Sequence, residues 1–484
     1  MTDRASSVSP TIVWFQQDLR LSNNGALHAA IARGGPILPL FIWAPDQETP
    51  WAPGGASRWW LHQSLRALDE DLRRLGSRLL FASGPSEKTL RRLLAQTQAG
   101  AVFWNRRYEP AIRNRQQQLK ASLSAEGYEV KSFPGAVLFE PEHIRNKQGR
   151  PFQVFTPFWK HCLSLPQPAP PLPRPKSIPV PAHWPTSESL DDFGLQPTPD
   201  WAGGLRQAWK PGERTALAQM KQFIAESFTT YGTLRNRPDL PGTSALSPYL
   251  HFGELTPGQI WHQFARENPA GWHSSQFLSE IGWREFSHHL LYHFPETHTK
   301  PLRPEFEKFP WRENRAWLRA WQKGRTGYPL VDAGMRQLWA TGWMHNRVRM
   351  VVASFLVKDL LIPWQEGARW FWDTLVDADL AQNTLGWQWT AGCGADAAPF
   401  FRIFNPASQG EKFDPQGNYI RRWVPELERL PASSIHEPHK ASPEVLEKAG
   451  VILGETYPAP IVSHTIAREV ALEAYAALKP ARRT

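Results

Sequence analysis

The sequence predicts an N-terminal α/β domain with a parallel sheet, a proline-rich linker and an all-α C-terminal domain. Short apolar, β-branched runs alternate with helical spacing over roughly the first 135 residues. Prolines then cluster between Leu163 and Pro211, where they block helix and sheet hydrogen bonding. The remainder shows amphipathic helical spacing broken by Gly and Pro. A chain of 484 residues also exceeds one compact core.

The α/β prediction depends on individual segments of the first part of the chain. Buried strands are predicted at 11–15, 37–43, 79–83 and 101–104. Helices are predicted at 26–33 and 57–75, with another between the last two strands. Such alternation indicates parallel strands with right-handed crossovers. No Gly-x-Gly-x-x-Gly pattern follows the first strand, so a nicotinamide site is not expected.

Composition restricts the class of protein. The net charge of +10 and the pI of about 9.6 favour a polyanionic partner, and general solubility is the alternative that the total alone leaves open. Two cysteines, Cys162 and Cys393, argue against a disulfide scaffold and fit a reducing cytoplasm. The N-terminus has no apolar signal core, and no apolar run is long enough to span a membrane. The 24 tryptophans suit aromatic pockets or redox relays as well as packing.

The stretch from Trp372 to Asp414 combines buried-type aromatic residues with carboxylates and amides. Asp377 and Asp379 stand in an apolar setting where an unpaired carboxylate is costly. Asn383 adds an amide nearby, and Trp387 follows one turn later. The pattern favours a pocket for a flat ligand with a polar edge. A helical core with a few satisfied polar side chains is the alternative, and the residues alone favour neither.

Longer motifs identify a resemblance. Asp-Ala-Asp-Leu-Ala-Gln-Asn (377–383), Gly-Trp-Gln-Trp (386–389), Phe-Arg-Ile-Phe-Asn-Pro (401–406) and Gln-Gly-Glu-Lys-Phe-Asp (409–414) resemble the flavin site of the photolyase/cryptochrome family. The similarity runs from about Thr11 to about Leu427. It implies a Rossmann-like α/β antenna domain with a five-stranded sheet at 10–135, a linker at 136–210 and a helical FAD-binding domain at 211–480. Within the family, the chain resembles class I photolyases for cyclobutane pyrimidine dimers.

The resemblance implies one FAD, reduced in the active form. It assigns the polar edge of the flavin to Asp377 and Asp379, with Arg349 as the expected ion-pair partner of Asp377. Asn383 matches the residue that faces flavin N5, where plant cryptochromes carry aspartate. The pyrophosphate is expected on Thr243, Ser244, Ala245, Leu246 and Ser247, with Tyr231 alongside. Further flavin contacts are expected from Glu280, Arg284 and Asn346.

Ser247 also carries a local prediction. A serine followed by Pro248 is typical of a helix start, with Ser247 as the N-cap and proline in the first turn. Hydroxyl groups and free backbone N–H groups at such a start suit a phosphate. An ordinary helix cap gives the same pattern.

A helix predicted at 280–287 places Glu280, Trp283, Arg284 and Ser287 on one face. A surface helix with one half-buried tryptophan is the commoner source of this pattern. The resemblance implies that Glu280 hydrogen-bonds the damaged pyrimidines, that Trp283 stacks on them and that Arg284 meets the DNA backbone. Other DNA contacts are expected from Arg235, Arg347, Arg402 and Gln409.

A second helix is predicted to begin at Trp343. Asn346 and Met350, four residues apart, share a face of this helix and match positions between flavin and lesion. Enzymes for the (6-4) lesion carry histidines at both positions, so the resemblance implies the cyclobutane-dimer type. His345 is interpreted as structural.

Electron transfer and light harvesting involve other residues. Trp311, Trp364 and Trp387 match the family's electron-transfer chain from surface to flavin, and they are equally typical of a tryptophan-rich core. Glu109 matches a position that contacts a folate antenna, and pairing with Arg106 or Arg107 is the alternative. The antenna is expected to be a folate such as methenyltetrahydrofolate, or 8-hydroxy-5-deazaflavin.

The expected activity is light-dependent repair of cyclobutane pyrimidine dimers in UV-damaged DNA, double- or single-stranded. An electron from excited, reduced FAD enters the flipped-out dimer, the ring splits and the electron returns. A monomeric, cytoplasmic protein of bacterial type is expected, without a membrane or an obligate protein partner.

Three alternatives stay open. A cryptochrome photoreceptor without repair activity usually carries a long C-terminal extension, whereas this chain ends at Thr484 after a short basic tail. A cryptochrome of the DASH kind fits less well around Met344 to Met350. A non-enzymatic basic DNA-binding protein would not need a buried polar pocket, and a colourless purified protein would favour it.

Overall fold

Five parallel strands form one sheet in the order β3-β2-β1-β4-β5. The strands are β1 Thr11–Phe15, β2 Ile37–Trp43, β3 Leu80–Ser83, β4 Ala101–Asn105 and β5 Glu129–Phe133. The register pairs Thr11 with both Ile37 and Ala101. All five residues of β1 are buried, because helices cover both faces of such a sheet and select continuous apolar strands.

The structure is a computed structural model and describes residues 8–267, 272–397 and 401–478, except for the side chain of His273. The predicted basic tail at 479–484 and the first seven residues lie outside this description. The helices in chain order are α1 Gly25–Arg33, α2 Gly55–Arg73, α3 Ser86–Thr97, α4 Pro110–Ala125, α5 Phe155–Leu163, α6 Gly203–Ala208, α7 Glu213–Glu226, α8 Tyr231–Leu234, α9 Ser247–His251, α10 Pro257–Glu267, α11 Gln276–His293, α12 Arg315–Gln322, α13 Pro329–Thr341, α14 Asn346–Ser354, α15 Trp364–Thr374, α16 Leu380–Ala391, α17 Pro406–Phe413, α18 Asn418–Trp423, α19 Pro443–Ala449 and α20 His464–Ala477. A π-helical turn at Phe355–Asp359 follows α14.

The chain packs into two units. The first unit contains residues 1–152, 156–225 and 244–295, and it includes the sheet together with α9, α10 and α11. The second unit contains residues 153–155, 226–243 and 296–484, and it is built from α8 and the helices from α12 onward. The predicted α/β and all-α architecture is confirmed. The domain limits of 10–135 and 211–480 stay a prediction.

The proline-rich segment between α5 and α6 belongs to the first unit and hydrogen-bonds to the sheet. The backbone N–H of Ile37 donates to the Pro179 carbonyl at 2.8 Å. At the edge strand β3, the Phe81 N–H donates to Ser187 Oγ and the Glu188 N–H donates to the Phe81 carbonyl, both at 2.9 Å. Prolines lack N–H donors, so a segment of this composition lies beside the strands without forming a ladder of its own.

The predicted strands at 11–15 and 37–43 are confirmed, and those at 79–83 and 101–104 differ by one residue at one end. The predicted helix at 280–287 forms the middle of the longer α11. The helix predicted to begin at Trp343 begins at Asn346 instead. His345 is its N-cap, because its ring Nδ1 accepts a hydrogen bond from the Arg347 N–H at 3.1 Å.

Candidate functional site

Two carboxylates stand at the start of α16 in the second unit. Asp379 is the N-cap of α16, and its side chain accepts from the Gln382 N–H at 2.9 Å. Asp377 precedes it and is buried, with 3% of its side chain exposed. Arg349 Nη2 lies 2.8 Å from Asp377 Oδ2 and 3.1 Å from Oδ1. The predicted pairing of Arg349 with Asp377 is therefore confirmed, and it offsets the desolvation of the carboxylate.

Arg349 is itself oriented by the backbone. Its Nε donates to the Met344 carbonyl at 2.7 Å, and its guanidinium lies 5.9 Å from the ring centre of Trp343. These contacts use Nε and Nη2 and leave Nη1 of the guanidinium as an additional donor group. The side chain is 24% exposed, so it offers charge and donors at the boundary of the buried region.

Asn383 lies in the first turns of α16, and its Nδ2 donates to the Ala368 carbonyl of α15 at 3.0 Å. This bond fixes the amide between the two helices. An amide at this position carries no charge at any physiological pH, unlike an aspartate. The side-chain carbonyl oxygen keeps its acceptor capacity.

The start of α14 carries Asn346 and Met350. Asn346 is exposed and Met350 half-buried, on the same face one turn apart. His345 caps the helix and is buried, as its structural interpretation expected. Burial, with the nearby charges of Arg347, Arg349 and Arg235, lowers the pKa of His345 to about 4. The ring is neutral at pH 7 and can accept the capping hydrogen bond.

Arg347, one of the expected DNA contacts, is held by contacts of its guanidinium with the protein. Its Nη2 donates to Asn236 Oδ1 at 2.6 Å, and its guanidinium lies over the Phe413 ring at 4.6 Å. Arg235 lies near the buried ring of Tyr231, 5.7 Å from its centre. The structure thus groups Arg347 with the segment that carries Tyr231 and Arg235.

The remaining expected DNA contacts, Arg402 and Gln409, also belong to the second unit. Arg402 is exposed, and Gln409 is half-buried on α17. Asn405 caps α17 by accepting from the Ala407 N–H at 2.9 Å.

The three tryptophans of the expected electron-transfer chain differ in exposure. Trp364 and Trp387 are each 2% exposed, whereas Trp311 is only half-buried. Trp387 packs edge-on against Phe371 at 5.0 Å and against Trp321 at 6.1 Å. Trp311 is thus the most exposed of the three, and Trp364 and Trp387 do not differ in burial. The electron-transfer role stays a prediction.

The predicted pyrophosphate segment is divided between the units: Thr243 belongs to the second, and Ser244, Ala245, Leu246 and Ser247 to the first. The prediction of Ser247 as an N-cap is wrong. The helix α9 begins at Ser247, and Leu246 takes the N-cap position without a side-chain hydrogen bond. Pro248 in the first turn is as predicted, because its fixed φ suits a helix start.

In the first unit, α11 carries Glu280 and Trp283 on a half-buried face. Gln276 Nε2 donates to Glu280 Oε1 at 2.9 Å, and the Trp283 ring lies 5.9 Å from Phe286, edge to face. Arg284 is buried and donates to the Ala136 carbonyl at 2.5 Å. The helix predicted here is present, but its predicted face is only partly exposed, because Glu280 and Trp283 are half-buried and Arg284 is buried.

Glu285 is a buried carboxyl that sequence reasoning missed. Its Oε2 accepts from the N–H groups of Leu138 and Phe139, at 2.7 and 3.2 Å. Burial raises its pKa to about 7, against the opposing effect of Arg284 and the two N–H donors. The segment from Ile281 to Leu291 mixes Arg, Ser and His with apolar residues, so the sequence carries no clear signal for a buried carboxyl at this position. Asn236, the acceptor for Arg347, was missed as well and follows Arg235 directly.

Glu109 follows β4 and pairs with Arg107, whose Nη2 lies 2.7 Å from Glu109 Oε1 and whose Nη1 lies 2.9 Å from Glu48 Oε1. The pairing alternative is therefore present in the structure. Arg106 pairs instead with Glu140 at 3.1 Å. The antenna role of Glu109 stays a prediction.

Within 8–267, 272–397 and 401–478, no group of three His, Cys, Asp or Glu side chains is placed to hold a metal ion. None of the helices in those same ranges combines the length and the apolar character needed to cross a membrane.

Two family models match different parts of this chain. Residues 11–176 match the family model described as DNA photolyase, and residues 277–477 match the FAD binding domain of DNA photolyase. The chain is 51% identical over 474 residues to a deoxyribodipyrimidine photo-lyase of Agrobacterium fabrum, covering 97% of this chain and 98% of the relative. It is 44% identical over 466 residues to cryptochrome-1 of Arabidopsis thaliana, covering 93% of this chain and 68% of the relative.

A solved structure is similar over nearly the whole length. The crystal structure of a bacterial class III photolyase from Agrobacterium tumefaciens superposes with a TM-score of 0.94 at 50% identity, covering 99% of this chain and 100% of the other.

Proposed function

Because the chain belongs to the photolyase/cryptochrome family, with DNA photolyase and FAD-binding domains, we propose that it is a deoxyribodipyrimidine photo-lyase. Its proposed substrate is the cyclobutane pyrimidine dimer in UV-damaged DNA, double- or single-stranded. The observation that carries the proposal is the neutral Asn383 amide, fixed by its 3.0 Å bond to Ala368, where plant cryptochromes carry aspartate.

The residues of the second unit fit FAD. Asp377 and Asp379 supply carboxylate oxygens, and Arg349 supplies N–H donors at the same boundary of the buried region. Such a set suits the polar edge of a flavin ring. FAD, when bound in its reduced form and excited by blue light, supplies the electron that splits the dimer.

Glu280 and Trp283 on α11 are proposed to receive the flipped-out dimer. Trp283 presents an indole face for stacking, and Glu280, held by Gln276, presents a carboxyl for hydrogen bonding to the pyrimidine edges. A carboxyl group at hydrogen-bond distance stabilises charge that develops on the bases. Arg235, Arg284, Arg347, Arg402 and Gln409 are proposed to bind the DNA backbone.

The choice of lesion is inferred from α14. Asn346 and Met350 stand where enzymes for the (6-4) lesion carry histidines, and neither can act as a general acid. Repair of the (6-4) lesion is therefore not proposed. The assignment to class I within the family stays a prediction, and the solved relative at 50% identity is named a class III photolyase.

A second chromophore is proposed beside Glu109, either a folate such as methenyltetrahydrofolate or 8-hydroxy-5-deazaflavin. A monomer in the cytoplasm is proposed as the working form. Trp311, Trp364 and Trp387 are proposed to reduce the flavin by carrying electrons inward from solvent.

The test is photorepair of one defined lesion. The purified protein, with its flavin chemically reduced, is mixed with an oligonucleotide that contains a single thymine dimer, under blue light or in darkness. Recovery of intact thymines in the light only is expected. Bound flavin with an unrepaired dimer, in duplex and single strand alike, would overturn the proposal.

The proposed pocket has its own test. Trp283→Ala is expected to weaken dimer binding by roughly tenfold, because a stacked base contributes about 1–3 kcal/mol. Trp201→Ala, at an exposed tryptophan in the same unit, is the matched control and is expected to leave binding unchanged. Equal dimer affinity in Trp283→Ala and the unchanged protein would contradict the role of Trp283.

A blue-light photoreceptor is the second candidate, favoured by the 44% identity to Arabidopsis cryptochrome-1. The variant Asn383→Asp distinguishes a repair enzyme from a photoreceptor. For a repair enzyme, the substitution is expected to lower repair and change the stable flavin redox state, seen in the absorption spectrum. A photoreceptor shows no repair in either form.

A further inference from the structure

The exposed side of α12 carries an unusual charge pattern. Arg315, Arg319 and Lys323 follow each other at intervals of four residues, all exposed. None of the three forms an ion pair with any residue in the described ranges. Like charges four apart destabilise a helix, and a cation in the first turn opposes the helix dipole. Solvation alone does not require this arrangement.

The row of cations borders an open groove of about 430 Å³, lined by Arg315, Ala316, Arg319, Ala320 and Lys323. The two alanines leave space beside the charges, so a ligand can approach the backbone of the helix. Over eight residues the row is about 12 Å long. That length allows several successive phosphates of one nucleic-acid strand to lie along the row.

An exposed aromatic platform lies on the neighbouring helix. Trp339 on α13 is 65% exposed and stacks on Trp370 of α15, with ring centres 5.9 Å apart and planes 5° apart. Tryptophan is rarely so exposed, because its ring carries a large apolar surface. The outer face of Trp339 is available for stacking.

The platform adjoins the end of the cation row. Arg336 Nε donates to the Gly324 carbonyl at 3.0 Å, directly after Lys323, and Trp339 lies three residues beyond Arg336 on α13. Behind this surface, Trp321 donates to the Val352 carbonyl at 2.9 Å and stacks on Phe371, so α12 is anchored firmly.

We propose that α12 and the Trp339–Trp370 pair form a second nucleic-acid surface, separate from the lesion site, that binds single-stranded DNA or RNA. Cations at helical spacing bind the phosphates, and Trp339 stacks on an unpaired base. A duplex hides its base faces, so the aromatic platform favours a single strand over a duplex or an acidic polypeptide.

The test uses the full-length protein and an undamaged, labelled single-stranded oligonucleotide, with affinity measured by fluorescence anisotropy at several salt concentrations. The triple variant Arg315→Gln, Arg319→Gln, Lys323→Gln is expected to lower the salt slope by about 2, since each single-strand phosphate contact contributes about 0.7. Trp339→Ala is expected to weaken binding at least about fivefold with the slope retained. Trp339→Tyr, which keeps a stacking face, should restore most of the affinity.

A charge-matched triple variant, Lys120→Gln, Lys147→Gln and Lys448→Gln, removes three exposed cations elsewhere. It should leave the slope near that of the unchanged protein. An equal loss in both triple variants would mean that only total charge matters, and it would overturn the proposal. Unchanged affinity for the single strand in the α12 and Trp339 variants would also overturn the proposal. An acidic protein would then be the partner to test at this surface. Photorepair of a short dimer-containing oligonucleotide should stay constant throughout.

Discussion

Arg349 and Asp377 form an ion pair of unequal depth, because the carboxylate side chain is 3% exposed and the guanidinium side chain is 24% exposed. One nitrogen of Arg349 serves both oxygens of Asp377. Removing the arginine takes away the cation that offsets the desolvation of this buried carboxylate.

Arg349→Met is expected to lower the free energy of unfolding by about 2–4 kcal/mol, somewhat below the range for a fully buried pair because Arg349 is partly exposed. Urea unfolding of the flavin-free protein measures this value without a contribution from the cofactor. The control is Arg369→Met, which removes an exposed partner of Glu366 and should cost at most about 1 kcal/mol. Similar losses in the two variants would contradict the burial argument.

Gly367 on α15 is required by the position of Trp387. A Cβ at residue 367 would lie 2.0 Å from the Trp387 ring. Gly367→Ala should therefore displace the indole and destabilise the protein by about 1–3 kcal/mol, as overpacking does. Gly386→Ala on α16 meets nothing within 4 Å and should instead stabilise by about 0.5–1 kcal/mol. Thermal unfolding of the two variants checks the difference in sign.

Trp387→Phe should separate flavin reduction from repair. Phenylalanine fills much of the same space beside Phe371 but is a far poorer electron donor than an indole. Light-driven reduction of oxidised flavin should fall at least about tenfold, while repair after chemical reduction is retained. Trp104→Phe, a buried substitution in the sheet, is the control and should leave both processes unchanged. Unaltered photoreduction in Trp387→Phe would remove this residue from the electron path.

Glu285 predicts a pH dependence of stability. Burial raises the pKa of its carboxyl to about 7, above the unfolded value of about 4.3. The folded state therefore binds the proton more tightly, and this stabilisation is present at pH 4 and is lost as pH rises through 7. Glu285→Gln keeps an acceptor for Leu138 and Phe139 without the titration.

The measured quantity is the difference in unfolding free energy between the unchanged protein and Glu285→Gln. It should shift by about 3 kcal/mol in favour of the variant between pH 4 and pH 8.5. A difference that is constant across this range would mean that the carboxyl titrates normally. Other buried groups, such as His345, contribute equally to both proteins and cancel.

The parts of the fold with strong local patterns were predictable. The strands 11–15 and 37–43 are short, mostly apolar runs, as is typical of buried parallel strands. The pairing of Arg349 with Asp377 followed from the cost of a buried charge combined with the family resemblance.

Other features depend on distant contacts that local patterns do not record. Leu246 takes the cap position of α9 although serine has the commoner capping side chain, and the local sequence pattern does not record this. The burial of Glu285 depends on the backbone of Leu138 and Phe139, nearly 150 residues earlier in the chain. In sequence, Glu109 has two arginines as possible partners, Arg106 and Arg107. Only the fold shows that it pairs with Arg107 and that Glu48 shares this arginine.

The contacts of Ser187 and Glu188 with Phe81 have a consequence for solubility. An uncovered edge strand presents free N–H and C=O groups to which another chain can add a strand. Here the Phe81 N–H and carbonyl are both taken, and Glu188 Oε1 also accepts from the Ser83 N–H at 3.0 Å. The proline-rich segment therefore covers this edge of the sheet. Its prolines lack N–H donors, so they cannot continue the hydrogen-bonded ladder to a strand of another molecule, which disfavours aggregation.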